Sequence, residues 1–100
     1  MIDVYIKYFD TLNELNAYLK EDKTDLFEQL VYTIRISKVF DLDEVTVAKF
    51  IMRDTDTSYN VMISRDDWDS CLNTALKHYI SIEEYEQCQE IKKLIKEISN

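Results

Sequence analysis

Eight carboxylates crowd the middle of this chain: Asp41, Asp43, Glu44, Asp54, Asp56, Asp66, Asp67 and Asp69. Only three bases share residues 41–69 with them, leaving a local net of −5. Side chains of this type, so placed, attract cations. On one surface they would suit the basic groove of a protein that handles nucleic acid. Phosphates of one DNA strand lie about 3.4 Å apart along the axis, and an acidic ridge of similar pitch would imitate them. Asp66, Asp67 and Asp69 have a plainer use as well. They follow Ser64 and can cap and stabilise the first turn of a helix.

Other chemistries find no support. Asp54-Thr55-Asp56-Thr57-Ser58 begins like a calcium loop, but Tyr59 and Arg65 stand where that loop needs Gly and Glu. His78 is the only histidine, seven residues after Cys71 and ten before Cys88. Those spacings match no zinc signature. The two cysteines fall at apolar positions of helical patterns and read as buried, reduced thiols. No metal, cofactor or catalytic group is expected.

The chain has 100 residues and neither glycine nor proline, where average usage predicts about twelve of the two together. Phosphate-cradling loops and nucleophile elbows rely on glycine for backbone that turns through positive φ or closely approaches a ligand. The P-loop, the GxGxxG turn and the GxSxG elbow are therefore excluded. A net charge of −8 opposes direct contact with nucleic acid or anionic membranes. A hydrophobic content of 46% is enough for a single folded domain over residues 1–100. No apolar run can span a membrane, and Met1-Ile2-Asp3 lacks the start of a signal peptide. The cytoplasm is the expected compartment.

The elements that must position the acids follow from hydrophobic periodicity. Residues 2–9 fit either a strand or a helical face, and Thr11 with Glu14 as a capping box favours the strand. Leu12, Leu15 and Leu19 mark a first helix. Thr24 or Asp25 caps a second, with Leu26, Phe27, Leu30, Val31 and Ile34 on its inner side. Val45–Arg53 and Tyr59–Ile63 read as a β-hairpin joined by a four- or five-residue loop. Ser64 opens a helix with Trp68, Cys71, Leu72, Ala75, Leu76 and Tyr79 inward. Ser81-Ile82-Glu83-Glu84 is a capping box before the last helix, whose inner side is Ile82, Tyr85, Cys88, Ile91, Leu94, Ile95 and Ile98. The expected fold is α+β, in the order β-α-α-β-β-α-α. A small antiparallel sheet packs against four helices, and residues 64–99 close the chain as an antiparallel helical hairpin.

Glu83 through Lys93, with Ile95 and Ile98, resembles the UVR motif, the helical hairpin of the excision-repair protein UvrB and several bacterial adaptor proteins. Tyr85 and Glu86 match the motif's aromatic and acid, Cys88 a small residue, Ile91 its Leu and Lys92 its Arg. Gln89 and Lys93 depart from it. The resemblance covers about the last 35 residues. It implies protein–protein contact or self-association through Tyr85, Glu86, Ile91 and Ile95, with a homodimer as one outcome. In size and charge the chain also resembles small phage proteins that blunt host defence or redirect host machinery. Two expectations follow. One is a non-enzymatic inhibitor or modulator that meets a basic protein surface through its acids. The alternative is an adaptor acting through its C-terminal hairpin. Tyr5, Tyr8, Tyr18, Tyr32 and Tyr59 are candidate interface anchors in either case.

Overall fold

A computed structural model describes residues 3–99. Its elements are β1 (Tyr5–Phe9), α1 (Leu12–Lys20), α2 (Thr24–Val39), β2 (Glu44–Met52), β3 (Thr57–Ser64), a 3₁₀ turn (Arg65–Asp67), α3 (Trp68–Ser81) and α4 (Tyr85–Ile98). The fold is α+β in the expected order. The ambiguous N-terminal segment is a strand from Tyr5 onward, and Ile2 lies outside the described residues.

The sheet runs β1-β2-β3 and is mixed. The β2–β3 hairpin is antiparallel as expected, but β1 lies parallel to β2, with Tyr5 opposite Ala48 and Phe9 opposite Met52. An antiparallel neighbour can follow a tight turn, whereas a parallel one needs a crossover. Here α1 and α2 together supply it, carrying the chain back so that β2 starts beside β1 in the same direction. The β2–β3 register shifts between Thr46 and Ala48, leaving Val47 as an extra residue. This bulge allows two successive side chains, Val47 and Ala48, to be buried at 0% exposure.

The helices cover one sheet face. Phe9, Ala48, Phe50, Met52 and Ile63 meet Leu15, Ile34, Leu72, Ala75, Tyr79 and Ile91 in one core. On the opposite face Ile6, Tyr8 and Met62 stay about half exposed.

A polar knot ties the first three elements together. The hydroxyls of Tyr5 on β1 and Tyr18 on α1 both donate to the Asp25 carboxylate on α2, the latter at 2.5 Å. Lys7 Nζ lies 3.7 Å from the same carboxylate. Burial alone would raise the Asp25 pKa. The two tyrosine hydrogen bonds, the Leu26 N–H and the Lys7 charge outweigh it and hold the group below its usual value. Burial, and then the Asp25 charge and hydrogen bonds, push both tyrosines upward.

Helix ends differ from expectation in instructive ways. Thr11 caps α1 by accepting from the Glu14 N–H at 3.2 Å, but the Glu14 carboxylate reaches back to the Asp10 N–H rather than to Thr11. Neither Thr24 nor Asp25 caps α2: the N-cap position is Lys23, which makes no side-chain cap bond, and Asp22 before it accepts from both the N–H and the hydroxyl of Thr24. Ser64 ends β3 instead of opening a helix, because Arg65–Asp67 first forms the 3₁₀ turn and its hydroxyl goes to Asp67 at 2.9 Å.

The box at Ser81–Glu84 does not form. Ser81 is the last residue of α3, and its hydroxyl donates to the His78 carbonyl at 2.6 Å. The N–H groups of Glu83 and Glu84 turn back to the carbonyls of Ile80 and Tyr79, which is a Schellman closure of α3. Asp41 and Leu42 close α2 in the same way, onto Lys38 and Ser37. Both closures need a left-handed residue, and Glu83 (φ 60°) and Asp41 (φ 55°) provide it. Asp56 (φ 51°) does the same in the loop between β2 and β3.

Asp tolerates this region through its short polar side chain, whereas Glu gains nothing and carries the full steric cost. Glu83→Gly should therefore raise stability by about 1 kcal/mol, or about 4–8 °C in melting temperature, and Glu83→Val should lower it. Thermal unfolding of the three proteins checks this, and a Gly variant that melts lower would refute the strain. For Asp25 the folded pKa is depressed, so its contribution is present above the usual 3.8 and is lost as pH falls through the folded value. Asp25→Asn should be less stable than the parent near neutrality, with the gap closing below that pH. Urea unfolding across the acid range measures it, and a gap independent of pH would contradict the ionic role.

Candidate functional site

The sheet sorts the eight acids into two groups. Asp41, Asp43, Glu44, Asp66, Asp67 and Asp69 lie at the end where β2 starts and β3 finishes, since Glu44 pairs with Ser64. Asp54 and Asp56 lie at the opposite end, in the loop between β2 and β3. β2, which begins at Glu44 itself and has nine residues, separates the groups by about 26 Å of strand. The acids therefore do not form one continuous ridge.

At the first end, Arg65 is the organising residue. Its N–H donates to the Asp43 carbonyl at 2.7 Å, which continues the β2–β3 ladder past Ser64. Its guanidinium meets Asp41 at 2.6 Å and Asp43 at 3.2 Å, and lies 5.2 Å from the centre of the Trp68 ring. The hydrogen bond to Asp41, followed by the charges of Asp41 and Asp43, raises the Arg65 pKa against a smaller opposing effect of burial. Two of the candidate acids are thus already occupied by a cation of the chain itself. Exposed pairs of this kind add little stability.

An open cleft of about 570 Å³ lies here, lined by Lys38, Asp41, Arg65, Asp66, Trp68 and Asp69 and closed by the end of α4. Lys38 leans toward Glu97 across it at 3.9 Å. Trp68 is buried, and its indole N–H has no hydrogen-bond partner among the described residues. At the other end, Asp54 donates its N–H to the Asp10 carbonyl, and Arg53 is held by Asp10 at 3.2 Å. Asp54 and Asp56 face solvent and bind no cation among the described residues.

The hairpin residues divide differently. Tyr85 is 61% exposed and Glu86 is exposed, but Ile91 is buried at 0% and Ile95 packs against the core. The apolar seam that resembles an association surface is covered by the domain's own α2 and α3. Ile91 is therefore not available to a separate partner. Of the tyrosines, Tyr8, Tyr32 and Tyr59 are exposed, while Tyr5 and Tyr18 belong to the Asp25 knot.

One polar chain was not visible in the sequence. Thr24 Oγ1 lies 2.7 Å from His78 Nε2 and donates its proton to Asp22 at 2.6 Å. With that proton committed, the imidazole must be the donor to Thr24. A nucleophile relay would run the other way, from hydroxyl to imidazole. His78 also stacks on Phe27 with ring centres 4.7 Å apart, so it pins the end of α3 to the start of α2. Thr24 and His78 are 54 positions apart, and nothing local marks the pair. Burial raises the pKa of the Cys71 thiol, with the Asp67 charge adding to it, and Cys88 is buried. Among the described residues no cluster of three His, Cys, Asp or Glu side chains could hold a metal ion, and no helix is long and apolar enough to cross a membrane.

If the seam of α4 is core, Ile91→Ala should cost about 2–5 kcal/mol in chemical unfolding. Tyr85→Ala, on the exposed side, should stay within about 0.5 kcal/mol of the parent. Equal effects of the two would show that the seam is not buried as described.

No protein-family model matches the chain, and no curated protein or solved structure is significantly similar to it, so the chemistry of the two acidic ends has to carry the functional conclusion.

Proposed function

We propose that this chain is a non-enzymatic binding protein that engages a basic surface on a protein partner, of the kind that otherwise grips nucleic acid. The observation that carries this is the corner between β2 and α3. Six carboxylates gather there, and three of them, Asp41, Asp66 and Asp69, line a cleft whose cations, Arg65 and Lys38, are already drawn to Asp41, Asp43 and Glu97. Asp66, Asp67 and Asp69 are exposed and oppose no cation of the chain among the described residues. A partner's Lys or Arg side chains would meet unspent negative charge there. The arrangement suits discrete cation-binding patches better than a continuous imitation of a phosphate backbone. An inhibitor or modulator that covers a basic groove fits this chemistry.

Affinity capture on the immobilised protein, in parallel with an Asp66→Asn, Asp67→Asn, Asp69→Asn variant, tests the proposal. Proteins held by the parent should be basic, should be lost on the variant, and should be released as salt rises from about 0.05 to 0.5 M. DNA should compete for them. Retention that is indifferent to salt and to the three substitutions would sink the proposal.

A further inference from the structure

Resting on the basic-partner proposal above, the geometry points to β3 as a docking edge. It would take one extended segment of the partner, apolar or β-branched in its middle and carrying Lys or Arg at both ends.

The two edges of the sheet are unlike. β1 has five residues, includes Lys7, and the carbonyl of Asp3 just before it is held by Gln29 at 2.7 Å. Shortness and an edge lysine are the usual protections against strand pairing. β3 has neither. Its eight residues, Thr-Ser-Tyr-Asn-Val-Met-Ile-Ser, are the longest run in the chain without an Asp, Glu, Lys or Arg. Among the described residues β2 is its only strand neighbour, so its outer row of N–H and C=O groups has no ladder partner there. The face away from the helices is open, and the helix side is open as far as Tyr59, beyond which Val61 is half-buried and Ile63 is buried. Tyr59, on the helix side, is 50% exposed, and Met62, on the other, is 51% exposed. Thr57, Ser58 and Asn60 are exposed as well.

Charge chooses the occupant. The strand spans about 27 Å and ends in acid at both extremities. Asp54 and Asp56 stand before it, and Asp43, Glu44, Asp66 and Asp67 beyond it. The nearby cations, Arg53 and Arg65, are held by Asp10, Asp41 and Asp43. A second copy of this chain would fit poorly. Antiparallel pairing of β3 with itself sets the acidic loop of each copy against the acidic corner of the other. Parallel pairing sets like ends together. A segment with basic ends and an uncharged centre satisfies the main-chain groups of β3, and its ends meet the carboxylates. The separation of the acids into two groups then has a use: they flank a neutral ladder.

The probe is a peptide of alternating valine and threonine with a pair of lysines at each end, titrated into isotope-labelled protein and followed by NMR. Binding should shift and protect the amides of Thr57–Ser64. A version with proline at its centre, or with glutamates for the lysines, should bind at least tenfold more weakly. Tyr59→Lys and Met62→Lys, at exposed positions that leave the core intact, should also weaken binding at least tenfold. So should an Asp54→Asn, Asp56→Asn, Asp66→Asn, Asp67→Asn variant. The inference is overturned by no response at about 1 mM peptide, or by equal binding of the proline peptide. It is also overturned if β3 is already paired in a dimer of the free protein. If the lysine variants bind normally and the asparagine variant does not, β3 is not the dock and the basic-partner proposal stands. If neither set matters, both fall.

Discussion

A chain without glycine must still reverse direction, and that constraint shapes much of this molecule. Among the described residues three carry positive φ, and all three are acids: Asp41, Asp56 and Glu83. Each sits at a reversal that sets the architecture. Asp41 lets α2 end and β2 begin, Asp56 turns β2 into β3, and Glu83 folds α4 back along α3. At the two helix ends the left-handed residue brings the following N–H groups onto carbonyls that would otherwise lack partners. Part of the negative charge of the chain is thus backbone chemistry. Asp41 illustrates the overlap, because the same residue turns the chain and holds Arg65.

The remaining architecture follows from what those reversals leave to be joined. With β1 fixed parallel to β2, the sheet depends on the crossover through α1 and α2, and the Asp25 knot is what fastens it. One carboxylate receives hydroxyls from β1 and α1 while belonging to α2. The His78–Thr24 contact plays a similar part for α3, which the chain reaches only after the sheet is complete. Both fastenings lie at helix beginnings, where backbone N–H groups favour an acceptor. The apolar core supplies the bulk of the stability, and these contacts fix how its layers are set against each other.

Much of this was legible in the residues. Leu72, Ala75, Tyr79, Cys88, Ile91 and Leu94 are buried as their spacing predicts, and the order of elements is the expected one, but Ile82 and Tyr85 of the same predicted stripe are 43% and 61% exposed. Periodicity reports one face of one element, and it succeeds where that face meets a core. It does not say which element covers the face. For that reason Ile91 could be read as an outward contact of a UVR-like hairpin while it in fact faces α2 and α3. The cap expected at Ser81 fails for a related reason, whereas the one at Thr11 forms. Ser81 and Glu84 have the spacing of a box, but the Schellman closure of α3 uses the same few residues and satisfies more backbone groups. Parallel pairing of β1 was hidden because strand direction depends on the crossover and not on the strand's own residues. The separation of the acids was closer to the surface of the sequence. A nine-residue strand with acids at both extremities must hold them apart by its own length.

Where the cations go decides what the acids can do. Across the helices opposite charges meet: Arg35 faces Glu90 and Lys38 faces Glu97, both between α2 and α4. These exposed pairs cancel field more than they add stability. Beside the sheet the balance is different. Arg53 and Arg65 flank β3, yet each is held by acids that precede β2, namely Asp10 for one and Asp41 with Asp43 for the other. The carboxylates that follow them, Asp54, Asp56, Asp66 and Asp67, therefore keep their charge facing water. The net of −8 is accordingly uneven over the surface. It is muted along the helices and concentrated at the two extremities of an uncharged strand, where an approaching cation would feel it most.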